Sequence, residues 1–481
     1  MKLIRPESGV PEQRVMQLFF CLLTLVLAAC AHTSSSRISG TSSQFASSAL
    51  LYEWLTEFNS GDPARLAQLR DKFQIPEPLD DVLAWREGTG GHSLLRMEEN
   101  RPDLVVALLK EVATDHVVRA RIETRSDGRL YFHATPITAP PEYQVQRTTL
   151  DRALASMRAR ADRFAKLDKF SGALLVARDG RVLFQDSWGE SNRETHQRAT
   201  LDTQYRLGSM NKMFTAIAVL QLVEAGKLSL DGTVGRYLPD YPNAEVASKV
   251  TLRQILTHTA GMGDIFGAQF LANRDRLREH QNYIDLYGSR APEFEPGTQD
   301  GYSNYGFVIL GAVIERVTGQ SYYDYMQRNV YDVSDMKLTG SLPESVDVPG
   351  RAAGYTWQHG AWVSNADVIL YRGVSAGGGY STVGDLLRFA NCLQAGRLIS
   401  LDTLVDATHP HDHGGTNGYG FTIKSDGDAV SYGHGGGAPG MDADLRIYPE
   451  TGYVLIGLSN LDPRAAKNML DNVAVRLPIK R

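Results

Sequence analysis

The run that opens at Leu207-Gly208-Ser209-Met210-Asn211-Lys212-Met213-Phe214 constrains this chain more than any other. Met213, Ile217, Leu220 and Val223 recur at helical spacing and Gly226 supplies a stop, so the stretch predicts an amphipathic helix packed on a core. On a helix read from Ser209, Ser209 and Lys212 stand three residues apart on one face. A serine hydroxyl is a weak nucleophile until a base takes its proton. A lysine amine can be that base once its surroundings bring its pKa down from about 10.4. The helix N-terminus also favours negative charge growing on the serine oxygen. The alternative reading of Ser209 is a plain helix cap.

The same spacing recurs at Ser334-Asp335-Met336-Lys337, but there Leu338-Thr339-Gly340-Ser341-Leu342-Pro343 follows and reads as loop. Only Ser209 begins a helix that would be buried.

With 481 residues, 42% of them hydrophobic and 22% charged, the chain has room for two domains and a large core. Its net charge of −5 gives no basic footprint, so no nucleic-acid partner is expected. No repeat of solenoid type is present.

At the N-terminus, Lys2, Arg5 and Arg14 precede an apolar run over residues 18–29 that is too short to span a bilayer. It closes in Leu27-Ala28-Ala29-Cys30, which resembles a bacterial lipoprotein box. The resemblance implies a signal peptide over residues 1–29, cleavage before Cys30 and lipid on that cysteine. The alternative is an ordinary secretory signal cleaved nearby. Residues 30–48 are Ser-rich and suit a flexible tether. Because no Asp stands just after Cys30, the expectation is a periplasmic, lipid-anchored protein of the cell envelope, with the outer membrane favoured. Cys21 falls in the signal and Cys392 has no partner left, so no disulfide framework is available; Cys392 reads as a small core residue.

Residues 49–136 predict a small α+β accessory module: helices at 49–59 and 63–73, then strands at 116–123 and 130–135 flanking Ser126-Asp127-Gly128-Arg129. That order resembles the NTF2-like accessory domains found beside secreted hydrolases. Pro136-Ile137-Thr138-Ala139-Pro140-Pro141 marks a boundary. Residues 149–475 predict a second domain that opens on a hairpin (172–177 and 182–188) and closes on another (445–447 and 453–458). Helical stretches such as 251–257 and 305–318 lie between. The expected class is α+β: one antiparallel sheet formed by both ends of this domain, flanked by helices, with an all-helical region beside it.

Two further elements can complete a site around Ser209 and Lys212. In Tyr302-Ser303-Asn304, a phenol beside a lysine ammonium is expected to lose its proton more easily and act as general base, while Asn304 holds the substrate amide and the lysine. In His434-Gly435-Gly436, the glycines let a strand backbone approach the substrate closely. The N–H groups of Ser209 and Gly437 then form an oxyanion hole. Each element has a decoy, Tyr241-Pro242-Asn243 and His413-Gly414-Gly415, in loop-like surroundings.

Ordered as Ser-x-x-Lys, Tyr-x-Asn and His-x-Gly, the set resembles the serine β-lactamase and penicillin-binding protein superfamily, class C branch. The resemblance covers roughly residues 160–472 and includes Leu256-Thr257-His258-Thr259-Ala260-Gly261, Phe294-Glu295-Pro296-Gly297-Thr298 and Ala376-Gly377-Gly378-Gly379-Tyr380-Ser381-Thr382. It implies an acyl-serine enzyme without metal or other cofactor. Ser209 is then the nucleophile, Lys212 its proton partner, Tyr302 the base, and Asn304, His434, Gly436 and Gly437 substrate-binding residues. Two departures matter: His434 stands where class C β-lactamases have lysine, and Gly435 where many relatives have threonine. Both weaken the grip on a substrate carboxylate. The expectation is therefore an esterase or D-amino-acid peptidase acting on an ester, amide or D-amino-acid peptide. The alternatives are a class C β-lactamase and a non-catalytic penicillin- or peptidoglycan-binding lipoprotein.

Three competing motifs carry little. Gly373-Val374-Ser375-Ala376-Gly377 fits a nucleophile elbow, but Gly378-Gly379 follows instead of a helix. His409, His411, Asp412 and His413 fit no familiar zinc spacing and read as an exposed loop. His258 reads as a packing or capping residue, and residues 263–291 as a lid over the pocket.

Overall fold

A computed structural model describes residues 46–358 and 360–479; the signal peptide, Cys30 and the tether up to residue 45 lie outside the described residues. The tether was expected to run to residue 48, but a helix begins at Ala46 (Ala46–Ser60).

The N-terminal region has two predicted helices, Ala46–Ser60 and Pro63–Lys72, the second capped by Asp62 with proline in its first turn. It also holds a third, Leu79–Thr89, and two strands, His92–Arg101 and Leu104–Glu111, that the sequence reading did not assign. With Val117–Thr124 and Leu130–Ile137 they form a four-stranded antiparallel meander. The fourth strand runs through Pro136, which sits where the boundary was expected. Trp54, Phe58 and Leu66 from the helices, with Phe73 just past the second, pack on Val105, Leu109, Val118 and Ile122 as a core of their own. This region docks on the rest of the chain through Asp115, which pairs with Arg476 at 2.7 Å and Arg160 at 3.2 Å.

A helix capped by Thr149, Leu150–Lys166, leads into a six-stranded antiparallel sheet. Its order is Thr422–Asp426, Ala429–Ala438, Met441–Ile447, Tyr453–Ser459, Gly172–Arg178, Arg181–Trp188. Leu455 pairs with Val176, so the two ends of the domain do meet in one sheet. Both faces are covered. Ala173, Leu175 and Ala177 face the main core, whereas Leu174 and Val176 face a second layer that includes Ala153 and Met157 of the Leu150–Lys166 helix and Met469 and Leu470 of the Lys467–Ala474 helix.

The Asn211–Glu224 helix lies at the centre of the main core. It differs from the amphipathic helix expected. Eleven of its fourteen residues are buried, because the sheet packs against part of it and the Asn304–Thr318 helix and its neighbours against the rest.

Candidate active site

Ser209 does not start the α-helix. It sits in a single 3-10 turn, Gly208–Met210, that feeds Asn211–Glu224, and no side-chain cap is made there. The chain reaches this turn clamped between two glycine-rich segments. On one side Leu207 N–H donates to Gly379 O (2.7 Å) and Gly378 N–H to Gly208 O (3.1 Å). On the other lies the strand Ala429–Ala438: a Cβ on Gly436 would stand 1.8 Å from Leu207 O and 2.8 Å from Ser209 N. Only glycine allows that approach, which brings the Ser209 and Gly437 backbones side by side.

Tyr302 and Asn304 arrive by a chain of local causes. A capping box of Thr251 and Gln254 starts the short helix Leu252–Leu256, and His258 follows at φ +59°. The carbonyls of Thr259 and His258 accept from Gly297 N–H (2.7 Å) and Gly301 N–H (2.8 Å), tucking the 294–301 turn against this bend. Tyr302 comes next. Ser303 caps the Asn304–Thr318 helix by accepting from Gly306 N–H at 2.8 Å, so Asn304 occupies its first position. The His258 ring packs on Tyr302 (centroids 4.3 Å apart) and its Nδ1 accepts from Ser303 N–H (3.1 Å), which makes His258 a packing residue.

Lys212 is fully buried. Its Nζ donates to Asn304 Oδ1 and to Ala376 O, both at 2.7 Å, and lies 4.7 Å from the centre of the Tyr302 ring. Burial brings its pKa down to about 7, against the pull of the Asp264 carboxylate. Tyr302 as a residue is 42% exposed, yet its phenol is desolvated by burial. That burial, with Asp264 adding to it, pushes the phenol above its ordinary value, against the opposing effect of the nearby Ser209 hydroxyl. The expected easing of the phenol proton is thus reversed: burial acts on both groups and moves the lysine towards neutrality and the tyrosine away from it.

His434 is buried in the strand, and burial followed by the nearby Lys212 lowers its pKa to about 4. It is neutral at pH 7, with Nδ1 set against Gly435 O as donor, which leaves Nε2 an acceptor. It supplies no positive charge to the site.

Asp264 was not singled out from the sequence. It accepts from Asn304 Nδ2 (3.0 Å) and from Ile265 N–H (2.6 Å), so it turns Asn304 Oδ1 towards the lysine. A lone Asp after glycine in a presumed lid gives no signal of this. His280 and Glu315 were missed as well, one lying in the same presumed lid and the other standing as a single carboxylate within the Asn304–Thr318 helix. His280 Nδ1 meets Glu315 Oε1 at 3.0 Å, and its Nε2 accepts from Ser375 N–H at 3.4 Å.

The competing motifs fall elsewhere. Ser375 is wholly buried, its hydroxyl has no hydrogen-bond partner, and no helix follows it. Lys337 is an exposed partner of Asp335. Tyr241 bonds Tyr305, Asn243 caps a short helix, and His411 stacks on Tyr419. Residues 263–291 carry two short helices, Ala268–Asn273 and His280–Tyr287, whose Tyr283 and Tyr287 belong to the core.

Residues 159–478 match the Beta-lactamase family model. Esterase EstB of Burkholderia gladioli is 30% identical over 295 residues, covering 54% of this chain and 75% of that protein. Among solved structures, a penicillin binding protein from Bacillus halodurans superposes with a TM-score of 0.59 at 29% identity, covering 64% of this chain and 97% of that one. A D-stereospecific amidohydrolase from Streptomyces sp. gives 0.55 at 26% identity, covering 66% and 97%. The Ser209 turn, held between two glycine-rich segments near the buried Lys212, thus belongs to a chain of a known class, the serine hydrolases related to β-lactamases and penicillin-binding proteins. The chain is a member of the Beta-lactamase family.

Proposed function

We propose that this protein hydrolyses esters or amides through an acyl-serine on Ser209, as an esterase or D-amino-acid amide hydrolase rather than as a β-lactamase. The observation that carries the reading is Lys212: a buried amine with a pKa near 7, bonded to Asn304 and packed on the Tyr302 ring, is a base poised at physiological pH. Ser209 gives its proton to the Tyr302 oxygen as the phenol passes its own to neutral Lys212, whose Nζ lies 4.7 Å from the centre of that ring. Ser209 Oγ bonds to the acyl carbon, and the carbonyl oxygen takes up negative charge beside the Ser209 and Gly437 N–H groups. The C–O or C–N bond then breaks, and the alcohol or amine departs with the proton returned through Tyr302. Water repeats the sequence and frees the acid.

The preference against β-lactams rests on charge. His434 is neutral, Gly435 has no hydroxyl, and Arg206 in the cleft is already bidentate on Glu344 at 3.0 and 2.5 Å. Among the described residues that line the cleft, the cation present is already paired and is not held ready for a substrate carboxylate. EstB and the D-stereospecific amidohydrolase carry names that fit this reading.

Turnover of a short aryl ester, a D-alanyl peptide and a chromogenic cephalosporin, each with Ser209→Ala as control, tests the proposal. The ester or the peptide is expected to turn over fastest and the variant to be inactive. Faster cephalosporin turnover overturns the preference. A lasting Ser209 adduct without turnover identifies a binder instead. From Leu27-Ala28-Ala29-Cys30 we also propose lipid attachment at Cys30. Loss of palmitate labelling in Cys30→Ala supports it, and unchanged labelling refutes it.

A further inference from the structure

The acyl-serine reading leaves the acyl group itself unassigned. Ser209, Gly208, Gly377 and Gly437 line one part of an open cleft. Away from the nucleophile its walls are apolar: Ile265 and Phe266 from the segment after Asp264, Val368 and Leu370 from the opposite loop, and Pro439 and Met441 from the turn that ends the His434 strand. The first wall is preformed, because Ile265 O accepts from the buried Tyr287 hydroxyl at 2.8 Å and Phe266 packs edge-on to Phe270 at 5.3 Å. Ile265 and Met441 are buried, whereas Phe266 and Val368 at the rim are 37% and 44% exposed. Apolar side chains left open beside a nucleophile mark a surface that a ligand covers. The charged pair in the lining, Arg206 and Glu344, is spent on itself.

The two ends of the substrate can be told apart. The leaving group must receive its proton from the Tyr302 side, and Tyr302 is not part of the groove's lining. The groove therefore takes the other end. We infer that, granted the acyl-serine reading, this groove is an acyl-chain subsite and that the substrates are esters of unbranched apolar carboxylic acids longer than acetate. Phe266 and Val368 set the preference at the rim, and Met441 lies deeper in the groove.

The test is a series of p-nitrophenyl esters (acetate, butyrate, hexanoate, octanoate) with the full-length protein, its Val368→Asp and Phe266→Ser variants, and Ser209→Ala as background. Each methylene that enters the groove is expected to raise kcat/KM by up to about fourfold, the equivalent of about 0.8 kcal/mol. Hexanoate should therefore exceed acetate by at least about tenfold. Val368→Asp should cut the octanoate-to-acetate ratio by about tenfold or more, a ratio that a general loss of folded protein does not change. A flat or falling series with clear Ser209-dependent acetate turnover overturns the subsite and leaves the hydrolase reading standing. No Ser209-dependent turnover of any ester in the series overturns the subsite, and overturns the hydrolase reading as well where the D-alanyl peptide is also left uncleaved.

Discussion

His280 Nδ1 lies 3.0 Å from Glu315 Oε1, and the proton it gives the carboxylate leaves Nε2 to accept from Ser375 N–H. This fixes one tautomer in a buried ring. From the Asn211–Glu224 helix, Asn211 Nδ2 donates to Val374 O at 3.2 Å and Thr215 Oγ1 to Ser375 O at 2.7 Å. The next carbonyl, Ala376 O, is the one that receives Lys212. His280→Phe removes the acceptor and should lower kcat about tenfold with little change in KM, as a 1–1.5 kcal/mol loss of positioning implies. The Ala376 carbonyl favours the charged lysine, so loosening it should move the acid limb of the pH profile to lower pH. Ser375→Ala, which removes an unpartnered hydroxyl, should leave activity within about twofold. Equal losses in both variants contradict this account.

The base must be neutral to accept a proton, so kcat/KM should rise with pH through the Lys212 value of about 7 and level above it. A pH profile of ester turnover reads this directly. An acid limb near 10 would mean the lysine is not desolvated.

Lys212 also costs stability. Its folded pKa, about 7, lies below its ordinary 10.5, so the folded state is penalised wherever the unfolded lysine is charged. The penalty is full below pH 7 and fades as the pH rises towards 10.5. At about 1.4 kcal/mol per unit it amounts to several kcal/mol. Lys212→Met should abolish activity yet raise Tm, most at pH 6 and least near pH 10. A Tm gain that does not shrink with pH refutes the assignment.

Gly436→Ala places a methyl 1.8 Å from Leu207 O, so the strand must move off the nucleophile turn. A loss in kcat of about a hundredfold or more is expected from displacing the oxyanion donors. At Gly435 the same methyl meets nothing closer than 3.5 Å, and Gly435→Ala should stay within about threefold. Steady-state kinetics of the two variants side by side decides it.

Much of the site could be read in sequence because its parts are local. Ser209 and Lys212 share a turn, Tyr302 and Asn304 flank a cap, and His434, Gly436 and Gly437 lie on one strand. The closing hairpins follow from alternation and turn residues, which also act over a few positions. Of the N-terminal elements that escaped, the strand His92–Arg101 did so because it is rich in charge and alternates only weakly.

The sequence by itself determined which chemistry was on offer and which segments had to carry it, since residue type and short spacing fix both. Tertiary structure alone decided which way each of the two pKa values moves. Burial is a property of everything packed around a group, and here it lowers an amine and raises a phenol that stand side by side. The same holds for Asp264, His280 and Glu315, whose partners lie 35 to 95 positions away and meet only when the main core closes on the Asn211–Glu224 helix.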